Sequence, residues 1–185
     1  LLDGKIADTN SDFIANTLAS LGIKVCLRII VDDDLEDLRS TLKWAAVRSD
    51  LVIVTGGLGP TDDDITREAA SGAFQLPLHR DKELEAAVKG LFRHMGREMP
   101  LSNLRQAELL EGAEAITARM GTAPGQILER EGKIIVLLPG VPREMKDMMT
   151  TDVVPMLKKK LSIDRTRKTL SFTVAARPES EVAET

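Results

Sequence analysis

Leu51-Val52-Ile53-Val54-Thr55-Gly56-Gly57-Leu58-Gly59-Pro60-Thr61-Asp62-Asp63-Asp64 is the stretch on which the reading of this chain turns. Leu51 to Val54 is a short, unbroken apolar run, the pattern of a strand buried on both faces of a parallel sheet. At Thr55 it passes into a glycine loop, and a helical pattern begins near Asp64. Such a loop lies at the carboxyl edge of the sheet, where ligands of open α/β folds bind. Gly56, Gly57 and Gly59 carry no Cβ, so the backbone can turn sharply and approach a ligand closely. The loop amides and the following helix start form an anion site, to which the Thr55 and Thr61 hydroxyls can add donors. Pro60 stiffens the loop. Neither the GK[ST] ending of a P-loop nor the G-x-G-x-x-G dinucleotide spacing is present.

Asp62, Asp63 and Asp64 stand where a phosphate is expected, which is an electrostatic contradiction unless something resolves it. One of them can cap the next helix while another holds a divalent cation that bridges to phosphate oxygens. A carboxylate can instead accept hydrogen bonds from ligand hydroxyl or amine groups, or all three can be capping, solvated residues. Further residues fall at the same sheet edge. Leu138-Pro139-Gly140-Val141-Pro142 ends a strand, so Gly140 either approaches the ligand or stops the strand. Arg143 either reaches a phosphate or pairs with a surface acid, and Asp33 either lines the site or caps a helix. Gly121-Thr122-Ala123-Pro124-Gly125 reads as a second loop over the pocket or as an ordinary turn.

Outward from the loop, strands alternate with helices, which gives a parallel sheet covered on both faces. Asn10, Ser11 and Asp12 resemble a helix N-cap region, followed by Phe13, Ile14, Leu18 and Leu21 at helical spacing and Gly22 as a stop. Ile23 to Val31 is β-branched and apolar, the pattern of a strand, and it would bury the single cysteine, Cys26, as a core thiol. Leu35, Leu38, Leu42, Ala45 and Ala46 mark one face of a second helix. Helices are also expected over Ile65 to Phe74, Lys82 to Phe92 and Arg143 to Leu161. Arg93 to Leu109 reads as a lid-like irregular stretch, and Ile134 to Leu138 as a buried strand. Met145, Met148, Met149 and Met156 read as core packing, and His79 and His94 as solvated.

The chain has 185 residues with 43% apolar and 29% charged residues, enough to bury a core. Aromatics make up 3% and the formal net charge is −4. Both argue against a nucleic-acid partner, which calls for stacking rings or an excess of cations. No apolar run reaches the roughly 18 residues of a membrane helix, and no basic-then-apolar leader is seen, so a cytoplasmic location is expected.

With these residues in hand, the sequence resembles the CinA family (competence/damage-inducible protein A). The first domain of that family belongs to the molybdopterin-binding superfamily of molybdenum-cofactor biosynthesis proteins. The resemblance rests on six segments in family order: residues 1–11, Thr55 to Glu68, Arg97 to Pro100, Asn103 to Ala107, Gly121 to Gly125 and Leu138 to Met145. It implies a three-layer α/β/α sandwich with a mostly parallel sheet over residues 1–161, and residues 162–185 as the start of a small following subdomain. The family's first strand, with its pocket residues, is expected before Leu1. The amidohydrolase domain that often follows in CinA proteins is not expected within these residues, and its activity is not carried over. By the same resemblance Asp64 and Asp33 are the functionally important aspartates. The implied activity is hydrolysis of ADP-ribose to AMP and ribose 5-phosphate, assisted by a divalent metal ion of the magnesium or cobalt type. Asp63 and Asp64 would hold that metal, and Arg67 or Arg143 would offset developing charge. The other implied role is binding of molybdopterin or a nucleotide without hydrolysis, and superfamily relatives suggest a homo-oligomer.

Overall fold

The computed structural model describes residues 1–2 and 4–163. The strand expected at Lys168 to Val174 lies outside the described residues. The first helix, α1 (Thr9–Ser20), is capped by Asp8, whose carboxylate accepts the Ser11 amide at 3.0 Å and the Ser11 hydroxyl. That leaves the Asn10 side chain free for another task. Helix α2 (Leu35–Arg48) is capped by Asp34, which accepts the Glu36 and Asp37 amides, both at 2.9 Å. The chain continues through β1 (Leu51–Thr55), α3 (Thr66–Phe74), β2 (Leu78–Arg80) and α4 (Lys82–His94). After a 3-10 segment at Leu101–Ala107 come β3 (Glu108–Leu110), β4 (Glu114–Ile116), β5 (Gly125–Arg130) and β6 (Lys133–Leu138). The last long helix is broken in three: α5 (Pro142–Met148), a π turn at Met149–Val153 and α6 (Val154–Lys160).

Strand β6 explains the layering. Its residues point alternately to opposite faces, and both sets are buried. Ile134, Val136 and Leu138 join Ile14 and Leu18 of α1 and Met145, Met148, Met149, Val153 and Leu157 of the last helix in one core. Ile135 and Leu137 join Leu42 of α2 and Ala69, Ala70 and Ala73 of α3 in the other. Helices therefore cover both faces. Each of the five buried β6 side chains contributes on the order of 1.5–3 kcal/mol.

The sheet order is β1-β6-β5-β4. The β1–β6 ladder is parallel, with Val52 opposite Ile135 and Thr55 opposite Leu138, so both strands end at the same edge. Beyond β6 the described sheet turns antiparallel, through β5 and then β4. The reversal follows from a two-residue turn: Glu131 and Gly132 both have positive φ, 53° and 74°, which suits a hairpin whose strands twist together.

The strand expected at Ile23 to Val31 is corrected by the structure. This segment has no paired strand among the described residues, and Val25, Leu27, Ile29 and Ile30 are exposed. Apolar β-branched residues raise the propensity for a strand, but a strand also needs a neighbour for its N–H and C=O groups. Cys26 shares that fate and is exposed rather than buried. The methionines behave as expected, with Met145, Met148 and Met149 at most 1% exposed and Met156 packed against the same core.

The π turn has a local cause. Pro155 brings no N–H, and its ring would clash with the Thr151 carbonyl in a regular helix. Arg119, from the loop after β4, spans the widened turn, donating to Asp152 at 2.6 and 2.8 Å, Thr151 at 2.8 Å and Asp147 at 3.3 Å. These contacts pin the loop that carries Gly121.

Candidate functional site

The parallel pairing of β1 and β6 delivers Thr55-Gly56 and Pro139-Gly140 side by side. The Gly56 amide donates to the Leu138 carbonyl at 3.0 Å. A Cβ on Gly140 would lie 3.1 Å from the Gly56 Cα, so the two loops touch backbone to backbone. Asn10 fastens this junction from α1: its Nδ2 donates to the Gly140 carbonyl at 2.8 Å and to Thr55 Oγ1 at 3.1 Å. Thr55 Oγ1 in turn donates to the Pro139 carbonyl at 2.8 Å. The Thr55 hydroxyl is therefore committed within the protein, and Thr55 does not line the cleft.

The glycine loop is held from beneath. Gly56 and Gly57 have φ of 107° and 65°, which side chains rarely adopt. A Cβ on Gly57 would lie 2.2 Å from Thr66 Oγ1. That hydroxyl donates to the Gly56 carbonyl at 2.8 Å. Arg67 is 1% exposed. It donates through both terminal nitrogens, to the Leu58 carbonyl at 2.7 Å and the Gly59 carbonyl at 2.8 Å. Burial, partly countered by Glu68, Glu108 and Asp64, lowers its pKa from the usual guanidinium value. Its fork faces the loop's carbonyls; it braces the loop and does not line the cleft.

Asp64 folds back over the loop rather than capping α3, whose N-terminus has no side-chain cap. Its Oδ2 accepts the Thr61 amide at 2.9 Å and the Thr61 hydroxyl at 2.5 Å. The carboxylate rests on Gly59, where a Cβ would come within 2.4 Å of it. Burial works to raise its pKa. The Thr61 hydroxyl and amide, the Gly59 amide and the Arg67 charge outweigh that and hold it below the usual carboxylate range. Thr61 is exposed, with its donors spent on Asp64. Asp62 and Asp63 are exposed. Arg105 closes the loop from the 3-10 segment, donating to the Thr61 carbonyl at 2.9 Å and to Glu68 at 2.6 Å.

Between these loops lies a cleft of about 390 Å³. Gly57, Gly59 and Asp64 form one side, and Gly121, Thr122 and Glu144 form the other. Gly140 lies at its base with Pro139, while Leu58, Ala123 and Val141 add apolar wall. Of the residues singled out in the sequence, Gly57, Gly59, Gly140 and Asp64 thus line one cleft. Gly56, Thr55 and Thr61 support it from outside. Arg143 is exposed on α5 and Asp33 is exposed ahead of α2, its amide bonded to Asp32; neither lines the cleft. Among the described residues no three of His, Cys, Asp or Glu form a group able to hold a metal ion. A magnesium-type ion needs only one or two carboxylates beside ligand phosphates and water, and Asp64 can supply one.

Glu144 was not singled out by sequence reasoning. Burial alone raises its pKa above the usual carboxylate range. A Cβ on Gly121 would come 2.2 Å from its Oε1, so the carboxyl rests directly against that glycine. A second hollow, of about 400 Å³, is lined by Glu114, Glu129, Glu131 and Lys160 near the hairpin turn. It shares no residue with the glycine loop.

A family model described as "probable molybdopterin binding domain" matches residues 1–159. The fold superposes on the protein CinA of Thermoplasma acidophilum with a TM-score of 0.76 and 33% identity, covering 86% of this chain and 90% of that one. The chain belongs to the CinA family. Its molybdopterin-binding-type domain is 46% identical over 172 residues to a competence-damage inducible protein of Halothermothrix orenii. That match covers 93% of this chain and 42% of the relative. A CinA-like protein of Dictyoglomus turgidum is 45% identical over 157 residues, 85% of this chain and 38% of the relative. The chain thus spans about two fifths of the length of these relatives. The molybdopterin biosynthesis enzyme MoaB of Thermus thermophilus shares the fold more distantly, with a TM-score of 0.54, 25% identity and 87% of each chain covered. Among the described residues no helix is long and apolar enough to cross a membrane.

Proposed function

We propose that this CinA-type domain hydrolyses the diphosphate of ADP-ribose, giving AMP and ribose 5-phosphate with the help of a divalent cation. The observation that carries the reading is Asp64. Its neighbours keep it ionised on the wall of the cleft, beside the glycine loop. A site that only holds phosphate gains nothing from a fixed anion there, whereas a metal-assisted site needs one. The Gly57 amide would hold a phosphate oxygen and oppose the charge that develops on it, while the Gly59 amide is already given to Asp64. Asp64, with phosphate oxygens of the ligand, would hold the cation, and Asp63 would serve it from solvent. The cation supplies Lewis-acid polarisation of the phosphate.

Incubation with ADP-ribose and Mg²⁺ or Co²⁺ is expected to release AMP, read by chromatography. Asp64→Asn should cut the rate by about 100-fold, a usual size for loss of one electrostatic contributor. Release of AMP at an unchanged rate by Asp64→Asn removes Asp64 from the reaction.

The second reading is binding of molybdopterin or another pterin or nucleotide phosphate without turnover. The family description and the likeness to MoaB support it. It calls for tight molybdopterin binding in calorimetry together with no AMP from ADP-ribose. Under either reading the domain works on a small phosphorylated molecule, and we propose that it does so as a homo-oligomer, which light scattering would measure.

A further inference from the structure

We propose that Glu144 is a catalytic residue of this cleft, the group that takes the proton from the attacking water. The inference rests on the hydrolytic reading above and assigns it a proton acceptor.

Three geometric observations carry it. Glu144 sits on the wall of the cleft shared with Gly57, Gly59 and Asp64. Its carboxyl lies directly against Gly121, 2.2 Å from where a Cβ there would stand, and the φ of 72° at Gly121 is one that glycine favours. The loop bearing Gly121 is in turn held by Arg119 across the π turn. Glu144 thus faces the cleft against a loop that is itself held in place. Yet among the described residues nothing donates to the carboxyl, and no ion pair holds it. Asp64 is the opposite case, its Oδ2 saturated by Thr61. Two carboxyls in one cleft therefore have different work. Asp64 is tied down as a permanent anion, and Glu144 keeps its lone pairs available.

The environment fits a base that must also release its proton. Half-burial raises Glu144, and no neighbouring charge contributes to that shift. The other carboxylate of the cleft is Asp64; on its own helix stand Arg143, Lys146 and Asp147, the last paired with Arg119, which also holds Asp152. Carboxylates pushed in opposite directions within one site are how acid–base roles are divided. In the step itself, the water oxygen bonds to one phosphorus of the diphosphate and the water proton passes to a Glu144 Oε. The bond from that phosphorus to the bridging oxygen breaks, and the oxygen leaves with the other phosphate and the bonding electron pair. Glu144 then returns the proton to solvent.

The test compares wild type, Glu144→Gln and Glu144→Asp with ADP-ribose and Mg²⁺ across pH 5 to 9. General-base loss predicts a fall in kcat of about 100-fold or more for the Gln variant, with KM changed by no more than about threefold. The acidic limb of the wild-type kcat/KM profile should disappear in Glu144→Gln and return, displaced, in Glu144→Asp. A readout independent of turnover is the thermal midpoint without ligand. A raised folded pKa gives stability that is full below the unfolded value and lost as pH rises through the folded one. Glu144→Gln should therefore match wild type in acid and exceed it at neutral pH. If wild type releases AMP while Glu144→Gln keeps its rate and its acidic limb, the assignment of Glu144 is overturned and the hydrolytic reading stands. If wild type releases no AMP, both fall together.

Discussion

Replacing Arg67 by Met tests whether a buried cation holds the glycine loop in shape. The guanidinium is 1% exposed and makes two charge-assisted bonds, at 2.7 and 2.8 Å, to the Leu58 and Gly59 carbonyls. Hydrogen bonds of that kind are worth about 1.5–3 kcal/mol each, so the pair amounts to about 3–6 kcal/mol. Part of this returns in the variant, because Met keeps the apolar stem packed and removes a charge that burial disfavours, as the lowered Arg67 pKa records. The two carbonyls, however, are left without a donor. The expected net loss is about 3 kcal/mol. For a domain of this length that is a fall in thermal midpoint of about 6–12 °C, read by circular dichroism or calorimetry. Arg67→Lys should fall between the two proteins, since an ammonium keeps the charge but cannot present a planar fork. Phosphate-ligand affinity should drop in both variants, because the loop amides depend on the carbonyls being held. A midpoint for Arg67→Met within about 2 °C of wild type would refute the reasoning.

Three other outcomes follow from the same geometry. Asn10→Ala removes the donor to Gly140 and Thr55; it should cost about 1–2 kcal/mol in urea denaturation and weaken ligand binding in calorimetry. Gly57→Ala combines a φ of 65° with a Cβ 2.2 Å from Thr66 Oγ1. It should cost about 1–2 kcal/mol for the left-handed backbone, plus about 1 for the displaced Thr66 bond, by the same assay. Asp152 is held below the usual carboxylate range, chiefly by its hydrogen bonds from Arg119 and against the effect of burial. A depressed carboxylate adds stability above its unfolded pKa of about 3.9, and that stability is lost as pH falls through the folded value. Asp152→Asn should therefore melt below wild type at pH 7 and converge with it in strong acid; a constant gap across that window would contradict the assignment.

What the sequence determined by itself was the pair of central strands and the glycine loop beside which the cleft lies. Leu51 to Val54 and Ile134 to Leu138 read as buried strands because unbroken apolar runs need cover on both faces, and β1 and β6 are the parallel pair. The loop after Thr55 was legible because glycines, a proline and acids at a strand end are local features with local causes. The six matching segments brought out the family for the same reason. Tertiary structure decided which side chains meet. Asn10 and Gly140, or Gly121 and Glu144, are far apart in the chain, and no spacing rule connects them. Glu144 had a signal in the sequence, a carboxylate just after a strand-ending Pro-Gly-Val-Pro, but only the contact with Gly121 shows where it points. Arg67 read as a cation for phosphate because charge is visible in sequence while burial is not. Ile23 to Val31 read as a strand because propensity is local, and it has no pairing strand among the described residues because pairing depends on a neighbour. The aspartates show the division most plainly. Sequence placed three acids at the glycine loop and the resemblance singled out Asp64, but only the fold shows how it differs, its carboxylate turned back onto Thr61 and Gly59.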